Sequence, residues 1–117
     1  MTTDDFRRFA LSLPEAVELG HMGHPDFRVG GKIFASLDHA GARGCLKLTP
    51  EHQEMLVEAE PGLFEPAEGY WGRKGWTYLK LAPADEGALR SALTAARMSS
   101  NPPGASRGSG AQYATGL

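Results

Sequence analysis

The segment FRVGGKIFASLD, residues 27–38, carries the strongest structural signal in this chain of 117 residues. Two short runs that contain apolar residues lie on either side of the pair Gly30-Gly31. Tight hairpin turns of the primed types need positive φ at their central residues, and glycine adopts positive φ without a steric penalty. The segment therefore predicts a β-hairpin, with strands over residues 26–29 and 32–38.

Further extended segments surround this hairpin. One strand precedes it at residues 16–21, and another follows at 43–48. A short extended piece lies near residues 63–65, and a last strand covers 76–81. Glycine, proline or short polar turns separate these segments, as is usual for strands.

Helical periodicity marks the two ends and the middle of the chain. Phe6, Phe9, Ala10 and Leu13 form one apolar stripe, with Thr2 or Thr3 available as a cap, and Pro14 ends this helix. The triplet Thr49-Pro50-Glu51 begins a second helix that stops at Pro61-Gly62, and a third helix runs from about residue 85 to 98. The inward side chains of these two helices are predicted to be His52, Met55, Leu56, Ala59, Leu89, Ala92, Leu93 and Ala96.

This order of elements predicts an α+β fold. Consecutive strands with helices at the ends are typical of a single antiparallel sheet that has its helices packed on one face. Residues 1–98 are expected to form one domain, since one core fits a chain of this length. Residues 99–117, rich in proline, glycine and serine, have little to bury and are predicted to form a flexible tail.

The composition excludes several classes of protein. Hydrophobic residues make up 41% and charged residues 22%, which is typical of a globular protein. Cys45 is the only cysteine, so a disulfide within the chain and a cysteine-rich zinc site are excluded and a reducing cytoplasm is favoured. The acidic N-terminus lacks the layout of a secretory signal, and no apolar run approaches the length of a membrane span. We expect a cytoplasmic protein with no membrane partner.

Charge is distributed unevenly along the chain, although the net charge is only −2. Residues 50–69 carry six glutamates and no lysine or arginine, which gives −6. Residues 21–48 carry a net +2 and residues 70–82 a net +3. The predicted strands are therefore basic, and the second helix is acidic.

Alternation along the strands predicts two faces of the sheet. The inward set is Phe27, Val29, Ile33, Ala35, Leu37, Leu46, Leu48, Leu79 and Leu81. The outward set is Arg28, Lys32, Phe34, Ser36, Arg43, Cys45, Lys47, Trp76, Tyr78 and Lys80. Aromatic rings mixed with cations are typical of proteins that bind single-stranded nucleic acid, because rings stack on bases while cations neutralise phosphates. The alternative is that the rings form a second small core beneath residues 62–75, with the lysines reaching past them to water.

The segment Gly72-Arg73-Lys74-Gly75 has two interpretations as well. Glycines on either side of the basic pair would keep the backbone open, and Tyr70, Trp71 and Trp76 bracket the cations. Such a wing-like loop could lie along a phosphate backbone. Alternatively, the segment is a solvated hairpin tip whose charges discourage edge pairing.

No catalytic signature is present. His21, His24 and His39 could be imagined as metal ligands, but turn-forming neighbours make them more typical of polar loop residues. Cys45 could be a nucleophile, yet a cysteine within a strand more often packs. The sequence contains no phosphate-binding or dinucleotide-binding loop. We therefore expect no catalytic residue, no metal site and no cofactor, and an enzyme is the third choice of function.

Three motifs together resemble the MmcQ/YjbR family over residues 3–98. They are LPEA after the first helix, FRVGGKIFA in the hairpin, and the tryptophan that opens the last strand. The resemblance implies a fold similar to CyaY and frataxin and a DNA-binding role through a double-wing arrangement, with no catalytic residues. Many members place asparagine, lysine and histidine before this tryptophan, whereas this chain has Gly72-Arg73-Lys74-Gly75 and keeps the basic charge. Iron binding is not implied, since the first helix offers only Asp4 and Asp5.

Two functions follow from these observations. The first is a small non-enzymatic DNA-binding module, weak or non-specific, with a basic and aromatic sheet face and a wing-like loop. Its predicted contacts are Arg28, Lys32, Lys47, Trp71, Arg73, Lys74, Trp76, Tyr78 and Lys80. The second is an adaptor that binds a protein or a small ligand through the aromatic face, with the acidic helix repelling nucleic acid.

Overall fold

The fold is an antiparallel sheet in which the predicted hairpin is central. The computed structural model of the chain describes residues 1–21, 24–38 and 42–100. The elements are α1 Thr3–Leu11, β1 Val17–His21, β2 His24–Val29, β3 Lys32–Asp38, β4 Arg43–Lys47, α2 Pro50–Ala59, β5 Phe64–Pro66, α3 Gly69–Arg73, β6 Trp76–Lys80 and α4 Glu86–Ser100. The six strands lie in the order β1-β2-β3-β4-β6-β5, and every neighbouring pair is antiparallel. The α+β prediction is confirmed.

The turn between β2 and β3 has the predicted geometry. Gly30 and Gly31 have φ values of 60° and 82°, and Val29 pairs with Lys32 across them. Two consecutive positive φ values are the signature of a type I′ turn, whose twist matches that of the flanking strands. The hairpin prediction is confirmed.

A β-bulge in β3 overturns part of the predicted face assignment. Phe27 pairs with Ala35 and Arg28 with Ile33, so Phe34 is one extra residue on β3. Phe34 and Ala35 are both fully buried, whereas Ile33 is 37% exposed. The prediction that Ile33 points inward and Phe34 outward is therefore wrong, because a bulge shifts the alternation by one residue.

The core lies between one face of the sheet and the two terminal helices. α1 and α4 pack on each other and on β3 and β4. The buried rings of Phe6 and Phe27 meet with their centroids 5.9 Å apart. At Gly44, a Cβ atom would lie 2.1 Å from the Phe6 ring, so glycine allows α1 to approach β4 closely. The opposite side of the sheet, called the outer face below, is free of these two helices.

The start of α1 is fixed by a capping box. The Thr2 hydroxyl accepts from the Asp5 amide at 3.1 Å, and the Asp5 carboxylate accepts from the Thr2 amide at 2.9 Å. These bonds satisfy two backbone donors that the first turn of a helix would otherwise leave unpaired. The hydrogen bond from the Thr2 backbone, with the others, holds the pKa of Asp5 below its usual value.

α2 is a peripheral helix, not the core helix that was predicted. Its predicted cap is confirmed, since the Thr49 hydroxyl accepts from the His52 amide at 3.1 Å. However, none of its residues is buried, and Met55, assigned to the inward stripe, is 55% exposed. α2 packs on the short edge strand β5, so only a narrow side of it is covered.

The C-terminal helix is longer than predicted. α4 ends at Ser100, two residues beyond the predicted end at residue 98, and its predicted inward residues are all buried. Residues 101–117, the greater part of the predicted tail, lie outside the described residues. In the described part of the chain, no helix is both long and apolar enough to cross a membrane.

Candidate nucleic-acid interface

Aromatic and basic side chains of β4 and β6 lie next to one another on the outer face. Lys47 pairs with Trp76, Cys45 with Tyr78, and Arg43 with Lys80. Directly opposed residues of an antiparallel pair lie on the same side of the sheet. The Gly44 and Leu79 pair between them is buried toward α1, so these three pairs share the outer face. Trp76 and Tyr78 are half-buried there, and Lys80 is exposed.

Two of the predicted basic contacts differ from the expectation. Lys32 pairs with Val29, which is fully buried in the core, so Lys32 belongs to the helix side of the sheet. Its assignment to the outer face is wrong, again because of the bulge at Phe34. Arg28 lies on the outer face, but its Nε and Nη2 donate to the two carboxylate oxygens of Asp26 at 2.8 and 3.3 Å. These hydrogen bonds raise the pKa of Arg28 and offset its charge locally.

The segment at residues 72–75 is not an extended wing or a hairpin tip. It comprises the end of the short helix α3 and the turn into β6. A Cβ at Gly72 would lie 1.8 Å from the Ala67 carbonyl oxygen, and a Cβ at Gly75 would lie 1.9 Å from the Leu48 carbonyl oxygen. The glycines therefore allow close packing of backbone on backbone. The predicted wing-like loop is wrong, although Arg73 and Lys74 are exposed as expected.

α3 presents two large rings to solvent. Trp71 is 61% exposed and Tyr70 is 54% exposed, and the two rings meet edge to face with centroids 5.3 Å apart. The Lys74 ammonium lies 5.3 Å from the centre of the Tyr70 ring. Gln53 of α2 links α3 to β6. Its side-chain amide donates to the carbonyl of Gly72 in α3 and to the carbonyl of Trp76 in β6, at 3.0 Å each.

A cavity of about 430 Å³ lies between α3 and the outer face. Its walls are Trp71, Trp76, Tyr78, Ile33, Ala67, His24, Asp26, Ser36, Cys45 and Glu68. A second cavity of about 260 Å³ shares four of these residues and extends to Asp38 and Arg43. Ser36, Cys45 and Tyr78 form a continuous cross-strand row, which alternation along the strands could reveal. The cover provided by Glu68 and Trp71 could not be found from the sequence, because it depends on where α3 packs.

Charged groups surround Tyr78, which lines both cavities. The Arg43 guanidinium lies 3.8 Å from the centre of the Tyr78 ring, and its Nε is 3.7 Å from Asp38 Oδ2. The Tyr78 hydroxyl donates to Glu68 at 3.4 Å. Burial, with a further contribution from the negative charge of Glu68, raises the pKa of Tyr78. The two cavities thus meet at an aromatic ring that has a cation and carboxylates around it.

Cys45 and His24 also line the cavity. Burial raises the pKa of the Cys45 thiol to about 11, so the thiol is protonated near neutral pH and is a poor nucleophile. The side chains of His21 and His39, the other two histidines considered as ligands, lie outside the described residues. Within the described ranges, no three His, Cys, Asp or Glu residues are arranged to hold a metal ion.

Comparison with known proteins identifies the fold and the family. The crystal structure of the Deinococcus radiodurans protein DR2400, which carries the domain described as DUF419, is similar to this chain with a TM-score of 0.76. The two share 24% sequence identity, and the similarity covers 92% of this chain and 83% of that one, which shows a common fold. No curated protein matches the sequence. The profile of the YjbR family matches residues 11–98, more than half of the chain, and the protein therefore belongs to the YjbR family.

Proposed function

We propose that this protein is a non-enzymatic, cytoplasmic DNA-binding module that holds single-stranded DNA against the outer face of its sheet. The observation that carries the proposal is the pairing of Trp76 with Lys47, two residues along the strands from Tyr78, on one accessible surface. Half-buried rings beside lysines suit a strand whose bases stack on the rings while its phosphates meet the ammonium groups. The proposal is therefore built on β4 and β6.

The shape of the surface favours single-stranded over duplex DNA. The rings of Trp71, Trp76 and Tyr78 line a concave cavity beneath α3 and do not project from a loop. A base within a duplex has both its faces stacked on neighbouring bases, so these rings could contact it only after it left the stack. An unpaired strand presents its bases without that cost.

The charges predict modest affinity with strong dependence on salt. Two outer-face cations have a carboxylate neighbour: Arg28 is hydrogen-bonded to Asp26, and Arg43 lies at ion-pair distance from Asp38. The main candidates for phosphate contacts are Lys47 and Lys80 on the sheet, with Arg73 and Lys74 at the end of α3. Arg43 is a further candidate, because its Nε has no hydrogen-bond acceptor among the described residues. The net charge of −2 and the six glutamates at residues 50–69 repel the phosphates of an approaching strand. Three to four contacts would give a slope of log K against log salt of about −2 to −3 for a single strand.

The test is a titration of labelled single-stranded and duplex oligonucleotides of the same sequence, followed by anisotropy at several salt concentrations. The double variant Lys47→Ala/Lys80→Ala should weaken binding to the single strand and reduce the slope by about 1 to 1.5. Lys32→Ala is the matched control, because Lys32 is also an exposed lysine in a strand but lies on the helix side of the sheet. The control should bind as the wild type does.

Two outcomes would remove the proposal. One is the absence of binding to either form of DNA at low salt. The other is a loss of affinity in Lys32→Ala that is half or more of the loss in the double variant. A loss in proportion to the number of charges removed would show that only overall charge matters. Preference for the duplex would leave DNA binding in place and refute the single-strand assignment.

The non-enzymatic part of the proposal is supported by the chemistry of the cavity. The only thiol is protonated at neutral pH, and a thiolate is the form that acts as a nucleophile. The Tyr78 hydroxyl has a raised pKa and is hydrogen-bonded to Glu68, so it is a weak acid in this setting. Incubation of the protein with single-stranded DNA should return the DNA unchanged in length and mass.

A protein-binding adaptor is the second candidate, and one observation favours it. β1 is an edge strand, and its outer-face residues Val17 and Leu19 are each 51% exposed. Apolar side chains on an open edge could receive a strand from a partner protein. A partner captured by the wild type and by Arg73→Ala/Lys74→Ala alike, but lost in Val17→Ser/Leu19→Ser, would support the adaptor.

A further inference from the structure

We infer that the cavity beneath α3 takes a single nucleobase, and that the phosphate of the same nucleotide lies at Arg43 and Lys80. The inference rests on the proposed function and names the unit of the ligand that this surface recognises. It predicts that a free nucleotide binds the same site as a strand of DNA. Below, the aromatic end is the cavity of about 430 Å³, and the cationic end is the adjoining cavity of about 260 Å³, which Tyr78 also lines. Geometry at both ends leads to the inference.

The aromatic end has the size and lining of a site for a flat ligand. Its volume of about 430 Å³ lies within the range of roughly 300 to 1,000 Å³ that is usual for small-molecule sites. Trp71 on α3 and Trp76 on β6 contribute ring surface from two different elements, and Ile33 adds an aliphatic wall. Trp71 is 61% exposed, so a stacked base would remove apolar surface from water.

The cationic end contains a donor that lacks an acceptor. Arg43 Nε is buried, and no hydrogen-bond acceptor for it exists among the described residues. The carboxylate of Asp38 is 3.7 Å away, within ion-pair range but too far for a hydrogen bond. Buried donors nearly always have a partner, so an oxygen atom from a ligand is the expected one. Lys80, directly opposite Arg43, places a second cation beside this position.

The two ends are separated by a distance that suits one nucleotide. Tyr78 and Lys80 are two residues apart on β6, about 7 Å at roughly 3.3 Å per residue. A base against Tyr78 would thus place its sugar and phosphate within reach of Lys80 and Arg43. The Ser36 hydroxyl and the Glu68 carboxylate supply a donor and an acceptor for the polar edge of the base.

Calorimetric titration of the full chain with small probes tests the inference. The probes are the four deoxynucleoside monophosphates, the corresponding nucleosides, deoxyribose 5-phosphate and inorganic phosphate. We expect the monophosphates to bind and to displace labelled single-stranded DNA. The nucleosides should bind more weakly, because they lack the group that meets Arg43. The sugar phosphate and inorganic phosphate should not bind measurably, because they lack the base.

Three variants separate the two ends of the cavity. Trp71→Ala should weaken both nucleotide and single-stranded DNA by roughly tenfold, the loss expected for one stacking ring. Arg43→Gln should weaken the monophosphates and leave the nucleosides nearly unchanged. Met55→Ala removes a similarly exposed apolar side chain from α2, away from the cavity, and should have no effect. Trp71 and Met55 are both exposed, so the variants are expected to fold.

The failure of the inference can be told from the failure of the proposed function. If single-stranded DNA binds, but no nucleotide competes and Trp71→Ala is unchanged, the cavity is not a base site and DNA binding stands. If nucleotides bind and DNA does not, the proposed DNA-binding function is refuted, and the cavity is a site for a free nucleotide. If inorganic phosphate binds as well as the monophosphates do, the base contributes nothing and the inference is wrong.

Discussion

Gly75→Ala should be among the most destabilising substitutions of glycine by alanine in this protein. Gly75 has a φ of 106°, and a Cβ atom there would lie 1.9 Å from the Leu48 carbonyl oxygen. That oxygen belongs to the backbone directly after β4, so it cannot rotate away as a side chain would. The Gly75 carbonyl also accepts from the Leu48 amide at 3.1 Å and from the buried Thr77 hydroxyl at 2.9 Å.

The expected magnitude follows from these contacts. A non-glycine residue held at such a φ costs about 1 to 3 kcal/mol, and weakening of one hydrogen bond costs about 1 kcal/mol more. The free energy of unfolding should therefore fall by about 2 to 4 kcal/mol, out of the roughly 5 to 15 kcal/mol usual for a domain. At about 4 to 8 °C per kcal/mol for a domain of this size, the midpoint of thermal unfolding should fall by roughly 8 to 30 °C.

Urea and thermal unfolding, followed by circular dichroism and tryptophan fluorescence, measure this effect. Gly62→Ala is the matched control, because nothing lies within 4 Å of a Cβ there and its φ is not positive. Its free energy of unfolding should stay within about 0.5 kcal/mol of the wild type. A Gly75→Ala variant as stable as the control would refute the view that this glycine permits close approach of β6 to β4.

Three further predictions concern the residues that support the fold and the cavity. Gln53→Leu removes both hydrogen bonds to the carbonyls of Gly72 and Trp76, so the free energy of unfolding in urea should fall by about 1 to 3 kcal/mol. The control Glu54→Ala, which changes an exposed neighbouring residue, should alter that free energy little. Thr2→Ala removes the N-cap of α1 and should cost about 1 kcal/mol at pH 7, measured in the same way; a cost near zero would contradict the capping role. The Cys45 thiol should react with an alkylating reagent at pH 8 about 100-fold more slowly than in the unfolded chain, because its pKa is raised from 9.0 to about 11. Since the folded thiol keeps its proton while the unfolded one loses it, stability should fall as the pH rises from 9 toward 11, and Cys45→Ala should lack that part of the pH dependence.

The strands were predictable because their signals are local. The glycine pair at residues 30–31 fixes a turn by itself, and the alternation in β4 and β6 survives unchanged in the structure. The capped start of α2 is equally local, since Thr49 acts on an amide three residues away. Such features need only the chemistry of a few neighbouring residues.

The bulge in β3 was not predictable in the same way. The run Lys32-Ile33-Phe34-Ala35 is compatible with either face pointing inward, since it contains apolar residues on both. The choice depends on the space beneath the helices, which accepts both Phe34 and Ala35. The consequences reach function, because the bulge moves Lys32 away from the proposed interface and brings Ile33 into the cavity. A local sequence pattern does not reveal how much space distant segments leave beneath the helices.

The prediction that α2 has a buried side fails for a related reason. The set His52, Met55, Leu56 and Ala59 has helical spacing, which predicts one buried side, but burial also requires a surface to pack against. The helix lies at the short edge strand β5, where little surface is available, and Met55 remains exposed. Periodicity indicates which side of a helix would be buried, whereas the topology of the sheet determines how much of it is.

The segment Gly72-Arg73-Lys74-Gly75 shows that the role of a sequence motif depends on how its residues pack. Glycines around a basic pair suggest an open loop, yet both glycines are buried against backbone carbonyl oxygens, that of Ala67 just before α3 and that of Leu48 just after β4. Their close approach, together with the two hydrogen bonds from Gln53, holds α3 against the sheet and so fixes the position of Trp71 over the outer face. The cavity therefore depends on the glycines, and the basic pair lies beside it. If this is correct, Gly72→Ala should disturb ligand binding more than Arg73→Ala does, even under conditions in which both variants are fully folded.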